Sequence, residues 1–191
     1  AAVHAVYGST EAEPIAHLEL KEISSADREA MASGAGLLAG KPIAEIDVDI
    51  RDHEVFVAGE HVNRGYLDPS DDKSTKSISG GKLWHRTGDA ARLDERGRLW
   101  LLGRREAASG GLFPFAIETA ALSWPGVRQA ALLAGGVRAK LALAGDSLDQ
   151  SALQQRAAQL GPIDVILLAE VPMDKRHNSK ADYARLKKML A

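Results

Sequence analysis

The chain contains no cysteine, which excludes disulfides, a thiolate nucleophile and cysteine-ligated zinc. It lacks any apolar run of membrane-spanning length, and no charged-then-apolar stretch resembles a secretory signal. Positive charge is not in excess either: 24 Lys and Arg stand against 26 Asp and Glu, a net charge of −2. Broad nucleic-acid or anionic-membrane binding needs a basic surface and is not expected. The six histidines show no metal-ligand spacing, so a zinc site is not expected. A Walker-type glycine loop is missing, and no nucleophile elbow supports a Ser-His-Asp hydrolase. What remains is an ordinary globular composition, 45% hydrophobic and 26% charged, with the cytoplasm as the default location.

At 191 residues the chain has room for one domain or two small ones. Residues 24–34 read as a short helix, with Ser24 or Ser25 as N-cap and Gly34 as its stop. Glycine density makes 34–42 a predicted loop. Ile46, Val48 and Ile50 alternate with Asp47 and Asp49, the period of a half-buried strand. Asp52-His53 is a turn-like break before Glu54-Val55-Phe56-Val57, which predicts a hairpin. Residues 68–82 are polar and rich in Asp, Ser, Lys and Gly, the composition of an exposed loop. A second hairpin is predicted where 90–93 and 98–102 flank Asp94-Glu95-Arg96-Gly97.

Past Gly103 the pattern changes. Helices are expected at 117–124, 148–160 and 182–190, and strands at 127–133, 139–143 and 165–169. The fold class is therefore α+β: a small twisted β subdomain, residues 38–102 within a first domain of residues 1–103, followed by a compact α+β domain, residues 104–191.

Four segments carry chemistry. Tyr7-Gly8-Ser9-Thr10-Glu11 runs from a strand into a loop and offers an aromatic face, a hydroxyl and a hard carboxylate. Thr87-Gly88-Asp89 places a carboxylate that can accept two vicinal hydroxyls. Gly103-Arg104 places a guanidinium fork across the predicted hairpin from it. Lys180 ends the run Arg176-His177-Asn178-Ser179-Lys180. Each also has a plainer reading. Gly-Ser and Gly-Asp are common turns, Arg104 could be a surface arginine, and the basic run near Lys187 and Lys188 could favour a helix end. His85 and His177 fall inside these segments and are open to a phosphate or substrate contact or to a structural role.

In this order the four segments resemble the second half of the acyl-adenylate-forming enzymes, the AMP-dependent synthetases and ligases. The resemblance runs from Tyr7 to about Leu190. It implies a carboxylic acid and ATP as substrates, with acyl-AMP and pyrophosphate as products. Tyr7 would lie against adenine, Thr10 would meet phosphate, Glu11 would help hold Mg²⁺, and Asp89 and Arg104 would hold the ribose of ATP or AMP. Lys180 would contact the carboxylate and the α-phosphate from a mobile carboxy-terminal domain. Thr10, Glu11 and Lys180 are thus the implied catalytic residues.

Glu106 falls where the family has its hinge. Gly110-Gly111, leading into Pro114-Phe115-Ala116-Ile117-Glu118, resembles the loop that lines the pantetheine tunnel for CoA, with a flexible connector as the plainer alternative. The segment between Arg104 and Ser109 is a few residues shorter than the family's. The Arg-His-Asn-x-Lys form resembles the long-chain acyl ligases and β-lactone synthetases more than the short-chain synthetases, which implies a fatty or otherwise apolar acid.

The chain begins without Met, and no Ser/Thr/Gly-rich triphosphate loop precedes Tyr7. The expectation is that residues 1–103 are the remnant of a larger N-terminal domain and that this chain does not adenylate alone. Severed apolar surface and open strand edges predict either a homodimer or poor order in residues 1–35. A different class of function stays open at this point: a non-catalytic nucleotide-binding or protein-interaction module that kept the fold.

Overall fold

A computed structural model describes residues 2–174 and 180–190. It is mixed α and β, with eleven strands and five α-helices among the described residues. The chain divides into two compact units, Ala1–Glu29 with Gly36–Glu106, and Ala30–Ala35 with Ala107–Ala191.

The first unit is built on an antiparallel eight-stranded sheet. Its strands are β1 (His4–Ser9), β2 (Ala12–Glu19), β3 (Leu37–Pro42), β4 (Ile46–Arg51), β5 (Glu54–Gly59), β6 (Lys76–Ser79), β7 (Lys82–Leu93) and β8 (Leu99–Arg104). The order is β1-β2-β3-β8-β7-β5-β4, with β6 also paired to β7. Residues 4–32, where poor order was the alternative to dimerisation, form β1, β2, a 3-10 turn and helix α1 (Ser25–Ala32).

Both predicted hairpins are present. Asp52 and His53 turn β4 into β5 with φ of 47° and 65°. Two positive-φ residues are what a two-residue turn needs to match strand twist. In the other, Asp94 Oδ1 accepts from the Arg96 and Arg98 amides, each at 2.9 Å, and closes the β7–β8 turn. Ser24 caps α1: its hydroxyl accepts from the Asp27 amide at 3.2 Å, and Asp27 accepts from the Ser24 amide at 2.9 Å.

Two predicted loops are corrected. Residues 37–42 form β3, because the glycines there allow close backbone approach and do not mark irregular chain. A Cβ on Gly40, at φ 93°, would stand 2.1 Å from the His17 carbonyl oxygen of β2. Within 68–82, Asp68 caps a short helix α2 (Pro69–Thr75) by accepting from the Ser70 amide at 2.8 Å, and β6 follows at once. Only Gly80-Gly81 turns in the open. The polarity of the segment reflects capping and solvent exposure.

The second unit has a three-stranded sheet ordered β11-β10-β9. Strand β9 (Val127–Leu133) is antiparallel to β10 (Ala139–Gly145), and β11 (Ile163–Leu167) is parallel to it. The parallel pair is joined through helix α4 (Gln150–Leu160), as a parallel connection requires. Leu141 and Leu143 point into a core with Ile117, Trp124, Leu153 and Ile163, below helix α3 (Pro114–Leu122) and α4. Ala142 and Ala144 alternate with them and face Val171 and Leu186 of helix α5 (Tyr183–Met189). Leucines on one face and alanines on the other set how closely the helices approach. Against expectation, β11 starts two residues early, at Ile163, which is fully buried.

Candidate functional site

In the first unit Asp89 on β7 and Arg104 on β8 are direct cross-strand partners. Arg104 Nη1 lies 3.3 Å from Asp89 Oδ1 and donates to the Thr87 carbonyl at 3.1 Å. The other carboxylate oxygen, Oδ2, accepts from the Tyr7 hydroxyl at 3.0 Å. Tyr7 comes from β1, four strand spacings away in the sheet order. A flat sheet would separate those strands by about 19 Å, so the contact requires the sheet to coil back on itself. Burial first, and then the charge of Asp89, push the Tyr7 hydroxyl above the ordinary tyrosine range. It stays protonated and can only donate to that carboxylate.

The local chain is shaped for this. Gly88 has φ 72°, and β7 and β8 shift register between Ala90 and Ala91. Thr87 Oγ1 accepts from the Asp89 amide at 3.1 Å and donates to the Val55 carbonyl at 3.1 Å, locking the turn of the backbone. The Asp89 side chain is 23% exposed and that of Arg104 66%. A half-sheltered carboxylate beside a solvent-facing guanidinium can receive a vicinal diol.

Thr10 and Glu11 form the tight turn between β1 and β2, with Thr10 exposed. A Cβ on Gly8 would stand 2.9 Å from the Ala12 carbonyl oxygen, so this turn is closed against bulk. Glu11 Oε1 accepts from the Tyr66 hydroxyl at 3.0 Å, and the Glu11 carbonyl accepts from the Asn63 amide at 2.7 Å. Burial, the largest influence, would raise the Glu11 pKa. Donors from its own backbone, Ser9 and Tyr66 outweigh burial and hold it below the usual carboxylate range. Lys76 Nζ donates to the Asn63 carbonyl and lies 5.5 Å from the Tyr66 ring centroid.

Sequence reasoning missed Tyr66 and Lys76. Their only signals are an aromatic and a lysine in polar chain. His85 is 3% exposed, and burial, then Lys76, lower its pKa. It is a neutral interior ring, which favours the structural reading over a phosphate contact.

Glu106 is exposed in a 3-10 turn, Arg105–Ala107, and its neighbour Arg105 is paired with Asp52. In the second unit Gly110 and Gly111, at φ 58° and 79°, make a tight turn closed by reciprocal backbone bonds between Ser109 and Leu112 at 3.1 and 2.9 Å. Leu112 is buried in the core that lies below this turn. Lys180 is exposed, and its carbonyl accepts from the Asp174 amide at 2.8 Å. The run 175–179, with His177, lies outside the described residues. The structure thus joins Tyr7, Asp89 and Arg104 directly. It seats Thr10 and Glu11 on the turn that follows Tyr7, and carries Glu106 in the first unit and Lys180 in the second.

No family model matches the chain. It is 28% identical over 225 residues to an olefin beta-lactone synthetase of Stenotrophomonas maltophilia, covering 94% of this chain and 40% of that protein. It is 35% identical over 138 residues to a 2-succinylbenzoate–CoA ligase of Geobacillus kaustophilus, covering 67% of this chain and 27% of that one. Among solved structures it superposes on the o-succinylbenzoate CoA synthetase of Bacillus subtilis in complex with an acyl-adenylate intermediate. That match has a TM-score of 0.72 at 24% identity and covers 97% of this chain and 41% of the other. Klebsiella oxytoca NpsA, in complex with 3-hydroxyanthranilyl-AMSN, gives a TM-score of 0.76 at 22% identity, covering 100% and 43%. The chain spans less than half the length of these relatives.

Proposed function

Because the chain shares sequence and fold with the carboxy-terminal portion of the acyl-adenylate-forming ligases, we propose that it carries the nucleotide-holding and phosphate-activating residues of an ATP-dependent carboxylate ligase. One observation supports this most strongly. Tyr7 and Arg104, from two other strands and from separate sequence segments, converge on the Asp89 carboxylate. In this reading a ribose diol donates to Asp89, Arg104 donates to the ribose, and the Tyr7 ring lies against adenine.

The acid's carboxylate oxygen attacks the α-phosphorus of ATP. That forms the O–P bond of acyl-AMP and breaks the bond to pyrophosphate. Thr10 donates to phosphate oxygen. Lys180 places a point charge where negative charge develops, a kind of contact whose loss costs about 3–4 kcal/mol.

Among the described residues no group of three or more His, Cys, Asp or Glu could hold a metal by itself. Glu11 is ionised and partly exposed, which fits Mg²⁺ held by one carboxylate together with substrate phosphates and water. When bound, the ion would draw charge off the reacting phosphate. Glu106 serves as the hinge, and the Gly110-Gly111 turn lines the path of a thiol acceptor such as CoA. The acid is fatty or otherwise apolar, the remaining N-terminal portion of the same protein supplies most of its pocket, and the reaction runs in the cytoplasm. No helix among the described residues is long and apolar enough to cross a membrane.

The test is ATP–pyrophosphate exchange by the protein of the whole reading frame, with short and long acids. Acid-dependent exchange supports the ligase. AMP binding without exchange for any acid would instead indicate a nucleotide-binding module without turnover.

A further inference from the structure

Lys180 stands on a two-stranded clasp. The Asp174 amide donates to the Lys180 carbonyl at 2.8 Å, Met173 bridges Ala181, and the Asp182 amide donates to the Pro172 carbonyl at 2.7 Å. Each limb of this clasp is tied to strand β9 by a side chain. On the first limb the Val171 amide donates to Gln129 Oε1 at 2.9 Å. On the second the Tyr183 hydroxyl donates to Glu118 Oε1 at 2.6 Å, and the same oxygen accepts from the Leu132 amide of β9 at 2.7 Å.

Glu118 is a costly way to join a helix to a sheet. It is buried on α3, and burial, only partly offset by its two donors, raises its pKa. An apolar side chain could fill the same interior without that desolvation, so packing alone does not account for a carboxylate here. Directional bonds from Glu118 and Gln129 instead fix where the clasp lies relative to the sheet, to within hydrogen-bond tolerance. Lys180 is three residues from Tyr183, at the base of the helix that Tyr183 opens.

We propose that Glu118, Tyr183 and Gln129 are positioning residues that hold the clasp so that Lys180 reaches the reacting phosphate in register. This rests on the reading of Lys180 given above. None of the three touches substrate. They act through the clasp, where a displacement near 1 Å can cost about 100-fold in rate.

The experiment compares acid-dependent ATP–pyrophosphate exchange by the whole-frame protein as wild type, Lys180→Ala, Tyr183→Phe, Glu118→Gln and Gln129→Leu. Melting temperatures are measured alongside. Tyr183→Phe keeps the ring and deletes one hydroxyl. It is expected to lower kcat about 10- to 100-fold with the KM for ATP and acid nearly unchanged. Gln129→Leu should behave alike. Glu118→Gln retains an Oε1 that accepts both bonds, and should keep kcat within a few-fold of wild type.

A kcat loss in Tyr183→Phe without a matching fall in melting temperature supports positioning. If Lys180→Ala abolishes exchange while Tyr183→Phe turns over like wild type, the ligase reading stands and the positioning proposal is overturned. A parallel fall of kcat and melting temperature in Tyr183→Phe and Gln129→Leu would mark a structural role and overturn it too. Exchange that survives Lys180→Ala overturns the reading of Lys180 itself, and positioning falls with it.

Discussion

Removing the Arg98 guanidinium should reveal how much of the first unit rests on one buried ion network. Arg98 is held on three sides. Nη2 and Nη1 donate to the two oxygens of Asp27 at 2.7 and 3.1 Å, and Nε donates to Asp94 at 2.8 Å. Its side chain is only 13% exposed, that of Asp27 7% and that of Asp94 16%. Arg98→Ala would leave two sheltered carboxylates without their cation, which typically costs about 3–5 kcal/mol. Asp27 keeps its Ser24 donors, and Asp94 keeps the Trp100 indole at 2.9 Å, so the low end, about 3 kcal/mol, is expected.

The pH dependence follows. Hydrogen bonds from Arg98, then Ser24, hold the Asp27 carboxyl well below its usual range. At Asp94 burial opposes ionisation, but bonds from Trp100 and Arg98 outweigh it and bring the pKa from 3.8 to about 2. Both folded values lie below the unfolded ones, so this stability is present above about pH 4 and is lost as pH falls toward 2. For Asp94 alone the shift corresponds to about 2 kcal/mol. The gap between wild type and Arg98→Ala should therefore be widest near neutrality and narrow on acidification.

Hydrogen exchange of the β7 and β8 amides in the 191-residue chain reads the first unit without averaging over the second. A gap under about 1 kcal/mol at pH 7 would mean that the first unit does not rest on this ion network. So would a gap that stays constant down to pH 3.

Three further outcomes are expected. Asp89→Asn removes the charge that Tyr7 and Arg104 share and that the ribose would need. AMP affinity by calorimetry should drop about 10- to 100-fold, and an unchanged affinity would exclude Asp89 from the nucleotide site. Gly40→Ala sets a Cβ 2.1 Å from the His17 carbonyl and should cost at least about 2 kcal/mol, read as a fall in melting temperature. The same change at Gly80, where nothing lies within 4 Å, should cost only the left-handed backbone penalty of about 1 kcal/mol; equal costs would contradict the close-approach argument. Strand β1 is a sheet edge with Val6 exposed, and sedimentation velocity of the chain is expected to show a dimer, against which a monomer at every concentration would count.

Much of the fold could be read locally because its signals are local. Asp52-His53 is short and tolerant of positive φ, and the strand before it alternates apolar with acidic residues, so the β4–β5 hairpin is visible locally. The β7–β8 hairpin is legible in the same way, but counting residues across its turn sets Asp89 opposite Gly103, and only the register shift between Ala90 and Ala91 brings Arg104 opposite Asp89. Strand β3 was hidden because its glycines serve a neighbouring backbone, and that need lies in β2. Helix α2 was hidden because a short capped helix in solvent looks like a polar loop.

At the site, Tyr7, Asp89 and Arg104 were nameable from sequence. The bond from Tyr7 to Asp89, 82 residues apart, depends on the coil of a whole sheet. Tyr66 reaches Glu11 across 55 residues in the same way. Glu118 reads as one polar position on a helix, and only the packing of α3 against β9 shows that it is buried and bonded.

The most direct test of the central claim is acid-dependent ATP–pyrophosphate exchange by the whole-frame protein and its Lys180→Ala variant, across acids of increasing chain length. Exchange is expected with at least one apolar acid, with a loss of about 100-fold or more in the variant. Exchange that is equal in both proteins would contradict the role given to Lys180. No exchange with any acid, from a protein that still binds AMP, would contradict the ligase.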